Sequence, residues 1–306
     1  MAFSAQDVKD LREKTGVGMM DCKKALTAAD GDIEKAVEWL REKGLAAAEK
    51  KAGRVAAEGI AYADVIDGIG VAVEVNSESD FVAKNEKFVD YVKNIAAVIV
   101  RENPADLDAL MNCKYPGGGT VEEAQHEKVL VIGENIKVRR FARYASGLSV
   151  PYVHMGGRIG VIVNMEVSEG LAAKPEVTEL GKDVAMQIAA MNPSYLDKSD
   201  VDPAVLEKEK EILVIQAKED PKNANKPQNI LEKMVTGRLG KYYEENCLLQ
   251  QQYVKGDKET VEKHVADVAK AAGGTIKILG FTRFEKGEGI EKRQDDLAAE
   301  VAKMVK

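Results

Sequence analysis

The chain has 306 residues, of which 45% are hydrophobic and 31% charged, and a formal net charge of -7. The composition is typical of a folded, rather helical globular protein and excludes a disordered chain, and the length is sufficient for two domains. The acidic balance argues against direct nucleic-acid binding, because neutralising a phosphate backbone needs a basic face.

Cysteine usage and hydropathy predict the compartment in which the protein acts. Cys22, Cys113 and Cys247 are far apart, form no CxxC pair and are accompanied by only three histidines. We therefore expect reduced thiols, no zinc site and no bound cofactor or metal. The N-terminus has no apolar core of signal-peptide length, and no segment approaches the run of about 18 apolar residues that a membrane span needs. These features predict a cytoplasmic protein without membrane contact.

The first 52 residues predict three short helices. A unit this small buries little surface by itself, so we expect residues 1–52 to form a docking module. The Ala/Lys-rich stretch of residues 44–59 predicts a helix or a linker without a strong apolar face, and a mobile tether that reaches to about residue 58 fits this composition. The apolar side chains that recur at helical spacing are Val8, Leu11, Met20, Ala25, Leu26, Ile33, Ala36, Val37 and Leu40.

One pattern of two strands followed by a helix occurs twice. Residues 59–75 alternate around Asp67-Gly68, and residues 149–165 alternate around Gly156-Gly157. The repeat predicts an α+β fold with duplicated halves and antiparallel sheets, residues 59–140 forming one half and residues 141–200 with 256–286 forming the other. The helix faces predicted to cover the sheets are Phe88, Val92, Ile95 and Ile99, and then Leu180, Val184, Ile188 and Met191.

Between the two halves the sequence predicts a helix that ends at Gly133 and then a strand. That strand carries the basic run KVRRFAR, residues 137–143. On a strand with period-2 alternation, such a run is more often a solvated face than a phosphate-binding surface. We therefore interpret the arginines as surface residues.

Residues 201–255 predict an inserted arm. Two charged helical runs, separated by a break at residues 221–227, describe an antiparallel helical hairpin or coiled coil that projects from the body. Residues 287–306 predict a short C-terminal helical module. The apolar stripe predicted for the arm consists of Val205, Ile212, Ile215, Ile230, Met234, Leu239 and Tyr242.

Catalytic motifs are absent from the sequence. There is no phosphate-binding loop of the form GxxxxGK[ST] and no GxSxG elbow. Asp80 has no second convergent carboxylate or histidine, and the pattern around it favours a helix N-cap with Phe81 folded against the sheet edge. His154 ends a predicted strand beside the glycine turn, and the pattern leaves a contact role and a structural role equally open.

Five sequence segments stand out in series along the chain: LREKTGVGMMDCKKAL (11–26), EVNSESDFVAKN (74–85), IGENIKVRR (132–140), HMGGRIGVIV (154–163) and GFTRFEKGEGIEK (280–292). Together they resemble the bacterial elongation factor Ts family, the guanine nucleotide exchange factors of elongation factor Tu. One departure is Ser79, where the family usually has threonine. The resemblance implies an N-terminal module similar to ubiquitin-associated domains, a duplicated α+β core, a coiled-coil arm and a C-terminal helix.

The resemblance also implies which residues act. Asp80 and Phe81 would enter the GTPase domain of elongation factor Tu, with Phe81 exposed as a wedge and Asp80 acting by charge near the partner's Mg²⁺. The protein would release GDP from its partner without covalent chemistry of its own. The further contact residues that the resemblance implies are Val82, Ile132, Gly133 and His154, with Met19, Met20 and Lys23 on the N-terminal module.

Several alternatives remain open at this point. One of Met19 and Met20 could belong to the core of the small helical unit. The three-helix unit could be a binding module or chaperone for other ligands, and Asp80 with His154 could be the centre of a small enzyme. The arm could also support a homodimer.

Overall fold

The computed structural model describes residues 3–219, 226–256 and 258–291. It combines helices with two antiparallel sheets, which confirms the α+β class. The first seven helices are α1 (Ala5–Thr15), α2 (Met19–Ala28), α3 (Ile33–Lys51), α4 (Asp80–Ala83), α5 (Glu86–Glu102), α6 (Leu107–Asn112) and α7 (Val121–Ile132). The remaining helices are α8 (Pro175–Met191), α9 (Pro203–Glu219), α10 (Gln228–Asn246) and α11 (Val261–Ala272). The strands are β1 (Glu58–Ile66), β2 (Ile69–Ser77), β3 (Lys137–Tyr144), β4 (Leu148–His154), β5 (Ile159–Val167) and β6 (Ile276–Glu285).

The three N-terminal helices form as predicted because their ends carry local signals. Ser4 and Asp7 make a reciprocal capping box at the start of α1, and Gly16 ends that helix in the left-handed conformation. The Asp32 carboxylate accepts hydrogen bonds from the first amides of α3. The buried cluster of the unit contains Leu11, Leu26 and Leu40 among other residues.

The prediction of a mobile tether is wrong for residues 44–51, which belong to a helix. Helix α3 continues to Lys51 and packs along α7. Gly44 allows this approach, because a Cβ at that position would already lie 3.3 Å from the carbonyl oxygen of His126. The Ala/Lys-rich composition concealed the contact, since a face of Gly and Ala has little hydropathy but permits close packing of two helices.

The first sheet has the order β1-β2-β3 and is antiparallel throughout. Asp67 and Gly68 join β1 to β2 with φ angles of 52° and 78°, the left-handed values of a type I′ hairpin turn. The hairpin predicted from this dipeptide is therefore confirmed.

The second sheet has the order β4-β5-β6 and is also antiparallel. Its third strand comes from the part of the chain that follows the arm, as predicted. The β4-β5 connection has positive φ angles at Met155, Gly156 and Gly157. Each predicted two-strand unit thus receives a third strand from elsewhere in the sequence.

Each sheet is covered by helices on one face. All four residues predicted for the face of α5 are buried, and so are Leu180, Val184 and Ile188 of α8. Met191 is the exception, since its side chain is exposed at the end of α8. The opposite faces of the two sheets meet across small residues, and a Cβ on Gly160 would lie 2.8 Å from the carbonyl oxygen of Ala61.

The arm is an antiparallel pair formed by α9 and α10, but the predicted stripe is largely wrong. Its buried seam consists of Leu213, Ala217 and Val235, with Leu239 partly buried beside them. A two-helix pair has only one narrow seam, and Ala217 allows the helices to approach closely at this seam. The predicted stripe residues that lie exposed instead are Val205, Ile212, Ile215 and Ile230.

The interpretation of KVRRFAR as a solvated face is also wrong. Arg139 and Arg140 form ion pairs with Glu74, whose side chain is fully buried. Arg140 reaches Glu288 as well, with 2.9 Å between its Nη2 and a carboxylate oxygen. These half-buried arginines connect β3 to β2 and to the segment that follows β6.

The predicted C-terminal helix lies outside the described residues from residue 292 onward, and residues 286–289 form turns. Within the part of the chain that the structure describes, no helix has both the length and the apolarity to cross a membrane. The division of the chain into domains given above stays a prediction, as do the ubiquitin-associated character of the first module and the coiled-coil character of the arm.

Candidate functional site

Phe81 projects from the protein surface. Its side chain is 80% exposed, although the one-turn helix α4 that carries it follows directly after a buried strand. Val82, the next residue, is buried in the core between the first sheet and α5. Because successive helical residues point in different directions, Phe81 is directed outward. The pattern-based interpretation of a Phe81 folded onto the sheet edge is therefore wrong, and the exposure expected from the resemblance is confirmed.

Asp80 lies beside Phe81 on the same turn. Its carboxylate is more than half exposed, and one oxygen lies 3.8 Å from the Nζ of Lys84. A pair this open is weak, because solvent screens both charges. The carboxylate therefore remains accessible to a partner molecule.

The segment that presents these residues, 78–82, is called the tip below. Glu134 holds its start: one carboxylate oxygen accepts the amide N–H groups of Glu78 and Ser79, at 3.0 and 2.9 Å. The other oxygen accepts the Ser79 hydroxyl at 2.5 Å. Ser79 is the N-cap residue of α4, but its side chain makes no capping bond to the helix, because its hydroxyl donates to Glu134 instead.

A second set of bonds runs in the opposite direction. The Glu78 carboxylate accepts the amide N–H of Asn135 at 2.6 Å and lies 3.5 Å from the Arg54 guanidinium. The buried side chain of Asn135 donates to the carbonyl oxygens of Ala52 and Arg54. The tip, the loop after α7 and the segment after α3 are thus joined at one place.

An open groove of about 560 Å³ lies beside the tip. Its lining includes Phe81, Val82 and Ile132, three of the contact residues that the resemblance implies. Gly133 follows with a φ of 88° and ends α7, and a Cβ there would meet no atom within 4 Å. The residues that line the groove are Ser79, Phe81, Val82, Asn85, Lys87, Val131, Ile132 and Glu134.

His154 lies at the end of β4 and is not among the groove residues. Its Nδ1 is 2.9 Å from the Tyr152 hydroxyl, and the adjacent Met155 is 69% exposed. The hairpin reaches β1, because the Ala61 amide donates to the Gly157 carbonyl oxygen at 2.8 Å.

The His154 hairpin and the tip lie at the same end of β1. Ser77, directly before the tip, pairs with Glu58 at the start of β1. Ala61, which the hairpin contacts, is three residues farther, a distance of about 10 Å along a strand. The tip and the His154 hairpin therefore join β1 at neighbouring points.

Met19, Met20 and Lys23 form an exposed patch on α2. Met19 and Met20 are 50% and 66% exposed, so neither belongs to the core of the helical unit. The buried face of α2 consists of Cys22, Ala25 and Leu26 instead.

Helix α2 is fixed to α3 beside this patch. The Lys43 ammonium donates a hydrogen bond to the Asp21 carboxylate and so lowers the pKa of that carboxyl group below its usual value. Because Asp21 lies between Met20 and Lys23 in the chain, the bond sets the orientation of the helix that presents the patch.

Helix α7 connects the patch to the tip. The side chains of Leu130 and Val131 pack against the core of the N-terminal unit. Lys51 at the end of α3 also donates to the Val129 carbonyl oxygen at 3.4 Å. The same helix then ends at Ile132 and Gly133 beside the groove, so the two surfaces share one support.

Sequence reasoning missed Glu134, Asn135 and Met155. The contacts of Glu134 with the tip span 55 and 56 residues, and no local pattern indicates such a pairing. Met155 could have been found, because a large apolar residue beside two glycines in a hairpin turn has no core to enter. Among the described residues, no three Asp, Glu, His or Cys side chains come together as a metal site.

Comparison with known proteins gives the family. The family model "Elongation factor TS" matches residues 78–288, and "Elongation factor Ts, mitochondrial, N-terminal" matches residues 1–48. The chain is 51% identical to elongation factor Ts of Clostridioides difficile strain 630 and 50% identical to that of Clostridium perfringens strain SM101, with 99% of each chain covered. It is 48% identical to elongation factor Ts of Syntrophotalea carbinolica over the full length of both chains. The chain therefore belongs to the elongation factor Ts family of translation elongation factors.

Proposed function

We propose that the protein is a guanine nucleotide exchange factor that binds elongation factor Tu in its GDP form and promotes release of the nucleotide. The observation that carries the proposal is Phe81, a phenyl ring that is 80% exposed on an anchored turn. Burying such a side chain stabilises a protein by about 1.5–3 kcal/mol, and this free energy is not gained in the isolated chain. Insertion into a pocket of the partner would recover it.

Asp80 and Phe81 act on the partner's nucleotide site in this proposal. Bound Mg²⁺ demands near-ideal octahedral geometry, so a small displacement of the elements that hold it weakens nucleotide binding. The ring separates elements of the GTPase domain, while the Asp80 carboxylate interacts by charge and hydrogen bonding near the metal. The protein needs no cofactor and performs no covalent step in this role.

The other candidate residues extend the interface. Ile132, Gly133 and His154 contact the same GTPase domain, and the patch on α2 makes a separate contact. Methionine side chains are flexible and polarizable, so Met19 and Met20 suit a surface that repacks against a partner. The proposed place of action is the cytoplasm, where translation factors meet ribosomes.

Binding of GDP and binding of this protein to elongation factor Tu are thermodynamically linked in this proposal. If the protein weakens GDP binding to its partner by some factor, GDP weakens binding of the protein by the same factor. The complex with nucleotide-free elongation factor Tu is therefore tight, and either GDP or GTP dissociates it.

The test is stopped-flow release of fluorescent GDP from elongation factor Tu over a range of concentrations of this protein. We expect the wild type to accelerate release and Phe81→Ala to lower the maximal rate about thirtyfold, the effect of losing a contact worth about 2 kcal/mol. Leu279→Ala is the matched control, because Leu279 is an exposed apolar residue on β6 that does not line the groove. A wild type that leaves the release rate unchanged would refute the proposal.

The arm suggests a further assembly. Its exposed isoleucines, Ile212, Ile215 and Ile230, give it an apolar outer surface that a second copy of the chain could cover. Sedimentation equilibrium of the wild type and of a variant with these three residues changed to Ser distinguishes a dimer from a monomer. Equal masses for the two proteins would exclude this dimer.

A further inference from the structure

We propose that Glu134 is a positioning residue for the exchange reaction. Its carboxylate holds the tip in the orientation that presents Phe81 to the partner. The inference rests on the proposed function, because positioning Phe81 matters only if Phe81 acts on the partner. Glu134 itself is not one of the proposed contact residues. Glu134 would act on the partner only through Ser79 and the backbone of the tip.

The geometry indicates a dedicated acceptor. Two consecutive amide N–H groups converge on one Glu134 oxygen, and the Ser79 hydroxyl donates to the other. Charge-assisted bonds of this kind are roughly twice as strong as neutral ones, and consecutive amides form a concave site for an anion. Both oxygens are therefore used to fix the two residues that directly precede Asp80.

The tip has little to order it from within. Helix α4 has four residues, and a single turn is unstable in isolation because nucleation fixes several dihedral angles for one hydrogen bond. Val82 is its one buried residue. Without an external anchor, the exposed ring of Phe81 could also settle onto the apolar side chains of the groove, such as Ile132. In that orientation the ring would no longer project.

The anchor itself is fixed. The amide of Asn135, the residue after Glu134, donates to Glu78, and the Asn135 side chain donates to the Arg54 carbonyl oxygen at 2.8 Å. On the other side, the Gly133 amide donates to the Val129 carbonyl oxygen at the end of α7, so Glu134 approaches the tip from a backbone that is bound on both sides. A carboxylate on a free loop would move with the tip and would not restrain it.

The fraction of molecules whose tip is correctly oriented determines the apparent affinity for the partner. If only a tenth of the molecules hold the tip in the competent orientation, the apparent affinity in the exchange reaction falls about tenfold. The maximal rate at saturating concentration is retained, since complex formation selects the ordered tip. Loss of the wedge itself in Phe81→Ala lowers the maximal rate instead, so the two effects are separable.

The experiment compares Glu134→Gln with Glu123→Gln in the GDP-release assay. Glutamine keeps the shape of the side chain but removes the charge, and its single acceptor oxygen leaves an NH₂ group facing either the two amides or the Ser79 hydroxyl. We expect Glu134→Gln to raise the half-saturating concentration about tenfold. Glu123 is the matched control, because it accepts the Thr120 amide at the other end of α7. We expect this control to stay within about twofold of the wild type.

A second readout uses the free protein and does not depend on elongation factor Tu. Hydrogen exchange of the Glu78 and Ser79 amides, and the ¹⁹F line of 4-fluorophenylalanine at position 81, report the order of the tip. We expect faster exchange and an altered line in Glu134→Gln, and a smaller change in Ser79→Ala, which loses one bond only. Ser79→Thr retains the hydroxyl, so its amide exchange rates and ¹⁹F line should match those of the wild type.

The results of these experiments separate failure of the positioning role from failure of the proposed function. An unchanged tip in Glu134→Gln, or a lowered maximal rate with an unchanged half-saturating concentration, would overturn the positioning role while the proposed function stands. If the wild type fails to release GDP, the proposed function fails, and the hydrogen exchange still decides whether Glu134 orders the tip. Should Glu134→Gln not fold, the comparison of Ser79→Ala with Ser79→Thr decides the same question.

Discussion

Glu74 is a fully buried carboxylate that joins three separate parts of the chain. Arg139 and Arg140 on β3 donate to it at 3.0 and 2.6 Å, and Asn76 on its own strand donates at 3.0 Å. The amide of Gly287, beyond the end of β6, donates at 2.8 Å. A buried carboxylate is tolerated only when its lone pairs are satisfied in this way.

We expect Glu74→Ala to lower the free energy of unfolding by about 3 kcal/mol, since removing one member of a buried ion pair leaves the others uncompensated. The value lies at the low end of the usual range because Arg140 keeps Glu288 as a partner. Asp267→Ala is the control, because its pair with Lys263 is exposed and such pairs contribute about 0.5 kcal/mol. Urea unfolding measures both variants, and equal losses of stability would contradict the structural role of Glu74.

At the residue scale the sequence predicts burial better than it predicts partners. The alternation in β3 indicates a strand, yet the same alternation suggested solvated arginines. The correct answer depends on Glu74, which pairs with Arg140 across the sheet at a separation of 66 residues. Phe81 is the exception for burial, because pattern alone favoured a buried ring and only the resemblance to a family predicted its exposure.

The arm shows how an element can be predicted while its packing face is not. Both helices form where the composition indicates them. The seam, however, uses Leu213, Ala217 and Val235, whereas Ile212 and Ile215 point away from it. The candidate faces differ by one or two positions, and hydropathy alone cannot choose between them when apolar residues occur on both sides.

We expect Leu213→Ala to destabilise the arm by about 2 kcal/mol, the low end for a buried leucine, because the seam is thin. Ile215→Ala removes a similar number of atoms from an exposed position on the same helix, and its effect should stay within about 0.5 kcal/mol. Hydrogen exchange of the α9 amides measures the local stability of the arm. A larger loss of protection in Ile215→Ala would place the seam on the predicted face instead.

The elements with local signals were the most predictable. The Asp67-Gly68 turn, the capping box of α1 and the glycine that ends α7 each lie within a few residues of the structure they specify. The extent of α3 was not predictable in this way, because its last two turns depend on contact with α7. Local chemistry determines where an element starts, and tertiary packing determines how far it continues.

On the scale of the whole molecule, α7 relates the two proposed contact surfaces. Its flank carries the N-terminal unit through Leu130 and Val131, and Glu134, two residues beyond its end, holds the tip. A partner that touches both surfaces therefore meets them at a fixed separation. Two contacts held at a fixed separation bind more tightly than the same contacts on a flexible tether, because less conformational entropy is lost on binding.

Gly44→Leu tests whether this fixed relation matters. A Cβ at position 44 would already lie 3.3 Å from the His126 carbonyl oxygen, so a leucine overpacks the contact between α3 and α7. The helix itself should persist, since leucine is a better helix former than glycine. Gly53→Leu is the matched control: it is the same change just after the end of α3, at a position where a Cβ meets no atom within 4 Å.

We expect Gly44→Leu to raise the half-saturating concentration for GDP release about tenfold, equivalent to a docking free energy of about 1.4 kcal/mol, while the maximal rate stays that of the wild type. Trypsin cleavage after Arg54 should become faster, because the Arg54 carbonyl is bonded to Asn135 only while the segment after α3 stays docked. Gly53→Leu should match the wild type in the exchange assay. If both variants exchange alike although Gly44→Leu is cleaved faster, the N-terminal unit contributes its contact independently of α7, and the fixed separation has no role in binding.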